Sequence, residues 1–243
     1  MKIDLNADLG EGGQYDEELL AIVSSANISC GAHAGSPEDI TKAIIMAKNN
    51  NVRIGAHPSY PDRENFGRLP MTLSAQDLRK HLAQQLEFFL SLSATLGAKV
   101  HHIKPHGALY NQAARDPELA EQIIQIVKEL APSLSLVGLA GGQTIHRAKE
   151  QQLHTVEEMF ADRAYHPDGS LLGRHEPGAL IDDPERACAQ VLSMLRTGSI
   201  SAIDGSQIRL TASTVCIHGD SPRSLELARG LKAKLIAQRV EIA

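Results

Sequence analysis

The sequence has no tryptophan and only four tyrosines and four phenylalanines among 243 residues. So few rings exclude the base-stacking platforms that hold single-stranded nucleic acids, and they leave Leu, Ile, Val and Ala to build the core. Cationic excess is missing too, since 24 Lys and Arg stand against 29 Asp and Glu, a net charge of −5. That balance serves neither a nucleic acid nor an anionic membrane surface. No apolar run approaches the roughly 20 residues of a membrane span. The amino-terminal MKIDLNADLGE has one lysine and no apolar stretch of signal-peptide length. Cysteines are only three, Cys30, Cys188 and Cys216, without metal-type pairing. They suit a reducing compartment, and the expected location is cytoplasmic. Nucleotide signatures are also missing: there is no GxxxxGK(S/T), and no GxGxxG after a strand.

What is present is a regular alternation. Ser36-Pro37, Asp116-Pro117, Asp183-Pro184 and Ser221-Pro222 each join an N-cap residue to a proline, so an acceptor side chain meets the first-turn amides where proline has none to leave unpaired. Apolar residues follow at helical spacing, such as Leu119, Ile123, Ile126 and Leu130. A further helix opens at Ser74, with Asp77 in a capping-box position. Between helices lie seven short apolar runs that read as buried parallel strands: Ile3–Leu5, Ile28–Cys30, Val52–Gly55, Val100–Ile103, Leu136–Leu139, Val156–Met159 and Val215–Ile217. Ile200–Ile203 and Ile208–Leu210, joined by Asp204-Gly205, read as an added hairpin. With no linker or low-complexity tract, residues 1–243 are expected to form one α/β domain, an incomplete seven-stranded TIM-like barrel.

Nearly every strand runs out into ionisable residues. Asp4, Asn6, Asp8 and Glu11 belong to the first, His33 to the second, His57 to the third, and Lys104 and His106 to the fourth. The fifth leads to Gly141-Gly142, the sixth to Glu158, Asp162 and Arg163, and the seventh to His218 and Asp220. In a parallel barrel these ends share one face, where such folds place their chemistry. The strand starts read as nearly free of charge, which favours a site over scattered solvated loops. Two long loops, 57–71 and 163–182, exceed ordinary connections. The second holds Arg163, His166, Arg174 and a turn at Pro167-Asp168-Gly169; a binding loop and a flexible excursion are equal readings of it.

The segments DLNADLGE, CGAHAG, GAHPSYPDRENFGR, KPHGALYN, EMFADRAY and CIHGD resemble, in order and spacing, the LamB/YcsF family. Ala32, Ser36, Leu69 and Met159 depart from that family's usual pattern. The resemblance implies an incomplete (β/α)7 barrel similar to the glycoside-hydrolase and polysaccharide-deacetylase barrels. It also implies the role of the A subunit of an ATP-dependent 5-oxoprolinase, acting with subunits B and C to open 5-oxo-L-proline to L-glutamate.

Such a reaction asks for a cation, an acid/base pair and a carboxylate anchor. Lys104 is the candidate cation, with a purely structural ion pair as its alternative. His106 is a proton shuttle, and Asp8 and Asp162 are bases or orienting partners. Arg163 or Arg174 would grip the substrate carboxylate. Asn6, His33, His57, His218 and Asp220 complete the expected substrate pocket. Asp4 and Asn6 share a strand face and are placed in the barrel mouth, either in catalysis or in a polar plug. Gly141 and Gly142 could offer amides to a phosphate of ATP, although a tight turn is the commoner reason for the pair; a boundary with other chains is the other place for the nucleotide. His33, His57, His106 and His218 could supply ligands to a divalent ion, but there is no HExxH motif and a tightly bound metal is not the favoured reading. The rival functions are a stand-alone metal-dependent deacetylase or amidohydrolase, and a non-catalytic binding protein that holds a small acid.

Overall fold

The computed structural model describes residues 1–217 and 222–243. His218 and Asp220, expected in the pocket, and Ser221, the expected cap of the last helix, lie outside the described residues.

The chain alternates as expected. β1 (Lys2–Leu9) leads through α1 (Asp16–Leu20) to β2 (Ser25–Ser29), and α2 (Pro37–Asn49) carries it to β3 (Arg53–His57). α3 (Ala75–Thr95) precedes β4 (Val100–Ile103), then α4 (Gly107–Ala113) and α5 (Pro117–Leu130) precede β5 (Ser135–Leu139). α6 (Gln143–Glu150) leads to β6 (Thr155–Phe160), and α7 (Pro184–Thr197) to a hairpin of β7 (Ser199–Ser201) and β8 (Gln207–Arg209). β9 (Thr214–Cys216) and α8 (Pro222–Ala237) follow, and β10 (Glu241–Ile242) lies beside the start of β1. Strands β1 to β6 and then β9 pair in parallel, and β9 returns to β1 from Asp4↔Thr214 to Asn6↔Cys216. The barrel therefore has seven strands and is closed.

The caps explain why the helices start where they do. Ser36 and Asp39 form a reciprocal capping box, while the side chains of Ser74, Asp116 and Asp183 accept from first-turn amides. Behind these starts the apolar stripes pack on the barrel; α5, for example, buries Ile123, Ile124, Ile126 and Val127. Helices α1 and α4 were not expected. Among the described residues no helix is long and apolar enough to cross a membrane.

Strand bounds differ from the apolar runs for a physical reason. In β1 the outward residues Ile3, Leu5, Ala7 and Leu9 are buried beneath helices, while Asp4, Asn6 and Asp8 alternate with them. Polar inward residues break the apolar run, so β1 extends four residues past Leu5. Likewise β2 begins at Ser25, with Asn27 facing the interior, instead of at Ile28.

The strand starts are not free of charge, contrary to expectation. Asp4, Arg53, His101 and His102 line a cavity of about 590 Å³ at that end of the barrel. Asp4 sits there and not in the mouth: its carboxylate accepts from Ser24, Ser25, Arg53 and Thr214, latching the starts of β1, β2, β3 and β9 together.

Candidate active site

Above this latch, the barrel interior is a connected polar column. Asn6 donates to Glu158 Oε1 at 2.9 Å and to Thr214 Oγ1 at 2.7 Å, and accepts from Asn27 Nδ2 at 2.8 Å. Asn27 accepts in turn from His102 Nε2 at 2.8 Å. Burial, then the nearby Lys104 charge, pushes His102 down to about 3, so this imidazole is neutral. Asn6 is thus buried within this column.

Lys104 stands at the top of the column. Its ammonium donates to Glu158 Oε1 at 2.9 Å, Asp8 Oδ1 at 3.1 Å and Asn6 Oδ1 at 3.3 Å, and meets Cys216 Sγ at 3.2 Å. Burial by itself would discharge it, but the Asp8 and Glu158 carboxylates outweigh that and hold it well above the ordinary lysine value. Lys104 is therefore a fixed cation pinned between two carboxylates. Burial raises the Cys216 thiol well above its ordinary value, against the pull of Lys104, so the contact is between ammonium and neutral thiol.

Asp8 carries this charge pair to the mouth. Asn27 Nδ2 and Lys104 hold its Oδ1, while Oδ2 lies 3.3 Å from His57 Nε2. Around it three imidazoles pack ring to ring. His33 stacks on His106 with centroids 3.8 Å apart, and His57 meets both edge-on. His57 Nε2 and His106 Nδ1 are 2.9 Å apart, and Glu11 Oε1 is 2.9 Å from His33 Nε2. Burial lowers His33 and His106; at His33 the Glu11 carboxylate opposes it, and at His106 the neighbouring rings reinforce it.

Loop 57–71 closes over these rings. Arg63 ties it to the carbonyls of Gly31 and Gly35, and Gln85 clamps Ser59 by donating to its carbonyl and accepting from its amide. Phe66 adopts a left-handed φ of 56°, a strained conformation that aims its carbonyl at His106 Nε2. Gly67 and Gly107 also have positive φ, and a Cβ on Gly107 would come within 2.5 Å of the Gly67 carbonyl. Glycine is needed for the loop to approach so closely.

Loop 163–182 is built on local pairing. It folds back through Arg163↔Leu180 and Tyr165↔Leu171 bridges, and Asp168 holds the expected turn by accepting from Ser170. Arg163 is buried and donates to the Leu172 carbonyl; burial, then the nearby Arg174, lowers its guanidinium below the ordinary value. Asp162, buried beside it, favours the charged form.

The structure thus gathers Asp8, His33, His57, Lys104 and His106 in one cluster, with Asn6 beneath and Asp162, Arg163 and Arg174 grouped at the end of β6. At the Gly141–Gly142 turn two amides already have partners within the chain. The Gly142 amide donates to Leu139 and the Gln143 amide to Ala114, each at 2.9 Å. Glu11 and Glu158 were visible as strand-end residues but had no role assigned. Ser59, Gln85, Asn27 and the Phe66 carbonyl were not foreseen, because neutral groups carry no signal until their partners are known.

The chain matches the LamB/YcsF family over residues 3–243. It belongs to the LamB/YcsF family. Among LamB/YcsF relatives, a Haemophilus influenzae (strain PittEE) protein named as the A subunit of 5-oxoprolinase is 48% identical over 241 residues, 99% of this chain and 98% of that one. One of the same name from Neisseria meningitidis serogroup B (strain ATCC BAA-335 / MC58) is 46% identical over 242 residues, covering 100% and 99%. The crystal structure of a lactam utilization protein from Thermus thermophilus superposes with a TM-score of 0.91 at 40% identity, covering 100% and 99%. A family 4 carbohydrate esterase from Streptomyces lividans in complex with acetate reaches 0.51 at 8% identity, covering 100% and 91%, a likeness of fold alone.

Proposed function

We propose that this chain is the A subunit of an ATP-dependent 5-oxoprolinase that opens 5-oxo-L-proline to L-glutamate in company with subunits B and C. The observation that carries the reading is end-to-end identity of 44–48% with proteins named for that activity. The mouth of the barrel supports it chemically. A ring amide resists water because its C–N bond has partial double-bond character. Transfer of a phosphoryl group from ATP to the amide oxygen ends that resonance and releases ADP. Water then adds to the carbon, the C–N bond breaks as the nitrogen takes a proton, and a second water hydrolyses the resulting acyl phosphate.

The chain's own residues divide this work. Asp8, held by Asn27 and Lys104, takes a proton from water and hands one to the leaving nitrogen, and His106 sets the position of His57 beside it. Lys104 contributes a fixed charge that needs no reorganisation as negative charge develops. Arg163 and Arg174, two neighbouring cations, receive the substrate carboxylate, with Asp162 orienting the first. With the Gly142 and Gln143 amides already engaged, ATP is assigned to a boundary with the partner subunits.

Co-purification with the partner subunits and assay of glutamate release tests this reading. Turnover should require both ATP and the partners, and Asp8→Asn and His106→Gln, checked for folding, should each lose at least about 100-fold. Full activity in both variants would overturn the site. Lack of ATP-dependent lactam opening by the intact complex would overturn the function, and hydrolysis by the lone chain without ATP would favour the amidohydrolase.

A further inference from the structure

Each of the three imidazoles at the mouth has one ring nitrogen already committed. His57 Nδ1 lies 2.7 Å from the Lys104 carbonyl, and His106 Nε2 lies 3.0 Å from the Phe66 carbonyl. A carbonyl can only accept, so both nitrogens carry hydrogen. His33 Nδ1 lies 2.9 Å from Ser59 Oγ, whose own hydrogen goes to the Tyr60 carbonyl; this nitrogen donates as well. In neutral rings the other nitrogens, Nε2 of His33, Nε2 of His57 and Nδ1 of His106, are bare lone pairs. One ligand atom from each of the three rings and a Glu11 carboxylate oxygen lie within 4.8 Å of one another.

That packing is repulsive as it stands. His57 Nε2 and His106 Nδ1 are 2.9 Å apart with no hydrogen to share, and Glu11 Oε1 faces His33 Nε2 at the same distance. Acceptors so close to one another need a positive species between them. We propose that this species is a divalent transition-metal ion of the zinc class, held by His57 Nε2, His106 Nδ1, His33 Nε2 and Glu11.

Three features favour a metal over the rival occupant, a proton on His57 shared with His106 and Asp8. Outward N–H groups tied to acceptors are what fix the tautomer and aim of metal-binding histidines. Imidazoles with one carboxylate suit zinc and its neighbours. Zn–N bonds of about 2.0–2.1 Å place tetrahedral ligand atoms about 3.3 Å apart, and the separations of 2.9 Å and, from Glu11 to His106 Nδ1, 3.5 Å bracket that spacing. One contact must give. His33 and His106 are stacked at an interplanar angle of 4°, and lone pairs in parallel planes cannot meet on one ion. The ion therefore seats on His57, His106 and Glu11, and His33 joins it only by tilting out of the stack.

The test uses the purified chain, stripped with a chelator, dialysed against Zn²⁺ or Co²⁺ and followed by elemental analysis, calorimetry and the visible spectrum of the cobalt form. Binding of about one ion per chain is expected, weakened at least about 100-fold by His57→Gln or His106→Gln and about 10-fold by Ser59→Ala, with folding verified by circular dichroism. Retention below about 0.1 ion per chain, or undiminished binding in both histidine variants, overturns the proposal. In the first case, nitrogen-15 spectra showing a His57 imidazolium unmoved by metal assign the centre to a proton. None of these readouts involves lactam turnover, so this inference and the proposed function fail separately.

Discussion

At the scale of single residues, the interior of this barrel shows how a charge is kept where water is absent. Burying an ammonium alone costs several kcal/mol, yet Lys104 keeps its proton because Glu158 and Asp8 stand 2.9 and 3.1 Å away and Asn6 fills in beside them. The histidine below it goes the other way. Buried, and with the Lys104 cation nearby, His102 is held neutral, its value lowered to about 3. Between its ordinary value and that one, the unfolded chain binds a proton that the folded chain refuses. Its contribution is therefore intact above about pH 6.5 and is lost, at about 1.4 kcal/mol per pH unit, as pH falls toward 3. Urea unfolding from pH 7 to pH 4 should show this slope, and His102→Gln, which keeps a donor for Asn27, should flatten it by about one proton. An unchanged slope would mean that other groups dominate acid unfolding.

At the scale of elements, close approach decides which residues are tolerated. The register between β3 and β4 shifts at Ile54/Gly55, and a Cβ on Gly55 would lie 2.1 Å from the His102 ring. Gly55 is thus the space in which the imidazole sits. Gly55→Ala should cost about 1–3 kcal/mol from overpacking, and adding His102→Ala should recover part of that loss; simple additivity in the double-mutant cycle would contradict the contact. Helix starts were legible because a cap and its proline are neighbours in the chain, as at Asp116 and Asp183. Strand bounds were less so. Asn6, Asp8 and Asn27 interrupt the apolar pattern, and they do so because the seven-stranded lumen is filled with hydrogen-bonded polar groups in place of aliphatic ones.

At the scale of the whole molecule, the two ends of the barrel do different work, and one strand serves both. Asp4 latches four strand starts, while Asp8, four residues along β1, faces the imidazoles. Asp4→Asn should lower unfolding free energy by about 2–4 kcal/mol yet leave turnover per folded complex within about twofold. Asp8→Asn should abolish turnover, and it also costs stability because Lys104 is left with Glu158 as its remaining carboxylate. Comparable activity losses in the two variants would refute this division. By itself the sequence determined the alternation of strands and helices, the parallel barrel and the strand ends on which the polar residues stand, because caps, periodicity and chain order are local or cumulative properties. Only the tertiary structure decided that Asp4 belongs to the far end, that Glu158 and Glu11 join the cluster, and that three histidine lone pairs converge. Those outcomes depend on barrel closure and on which way each side chain points, and both are set by contacts between residues as distant as Asn6 and Glu158.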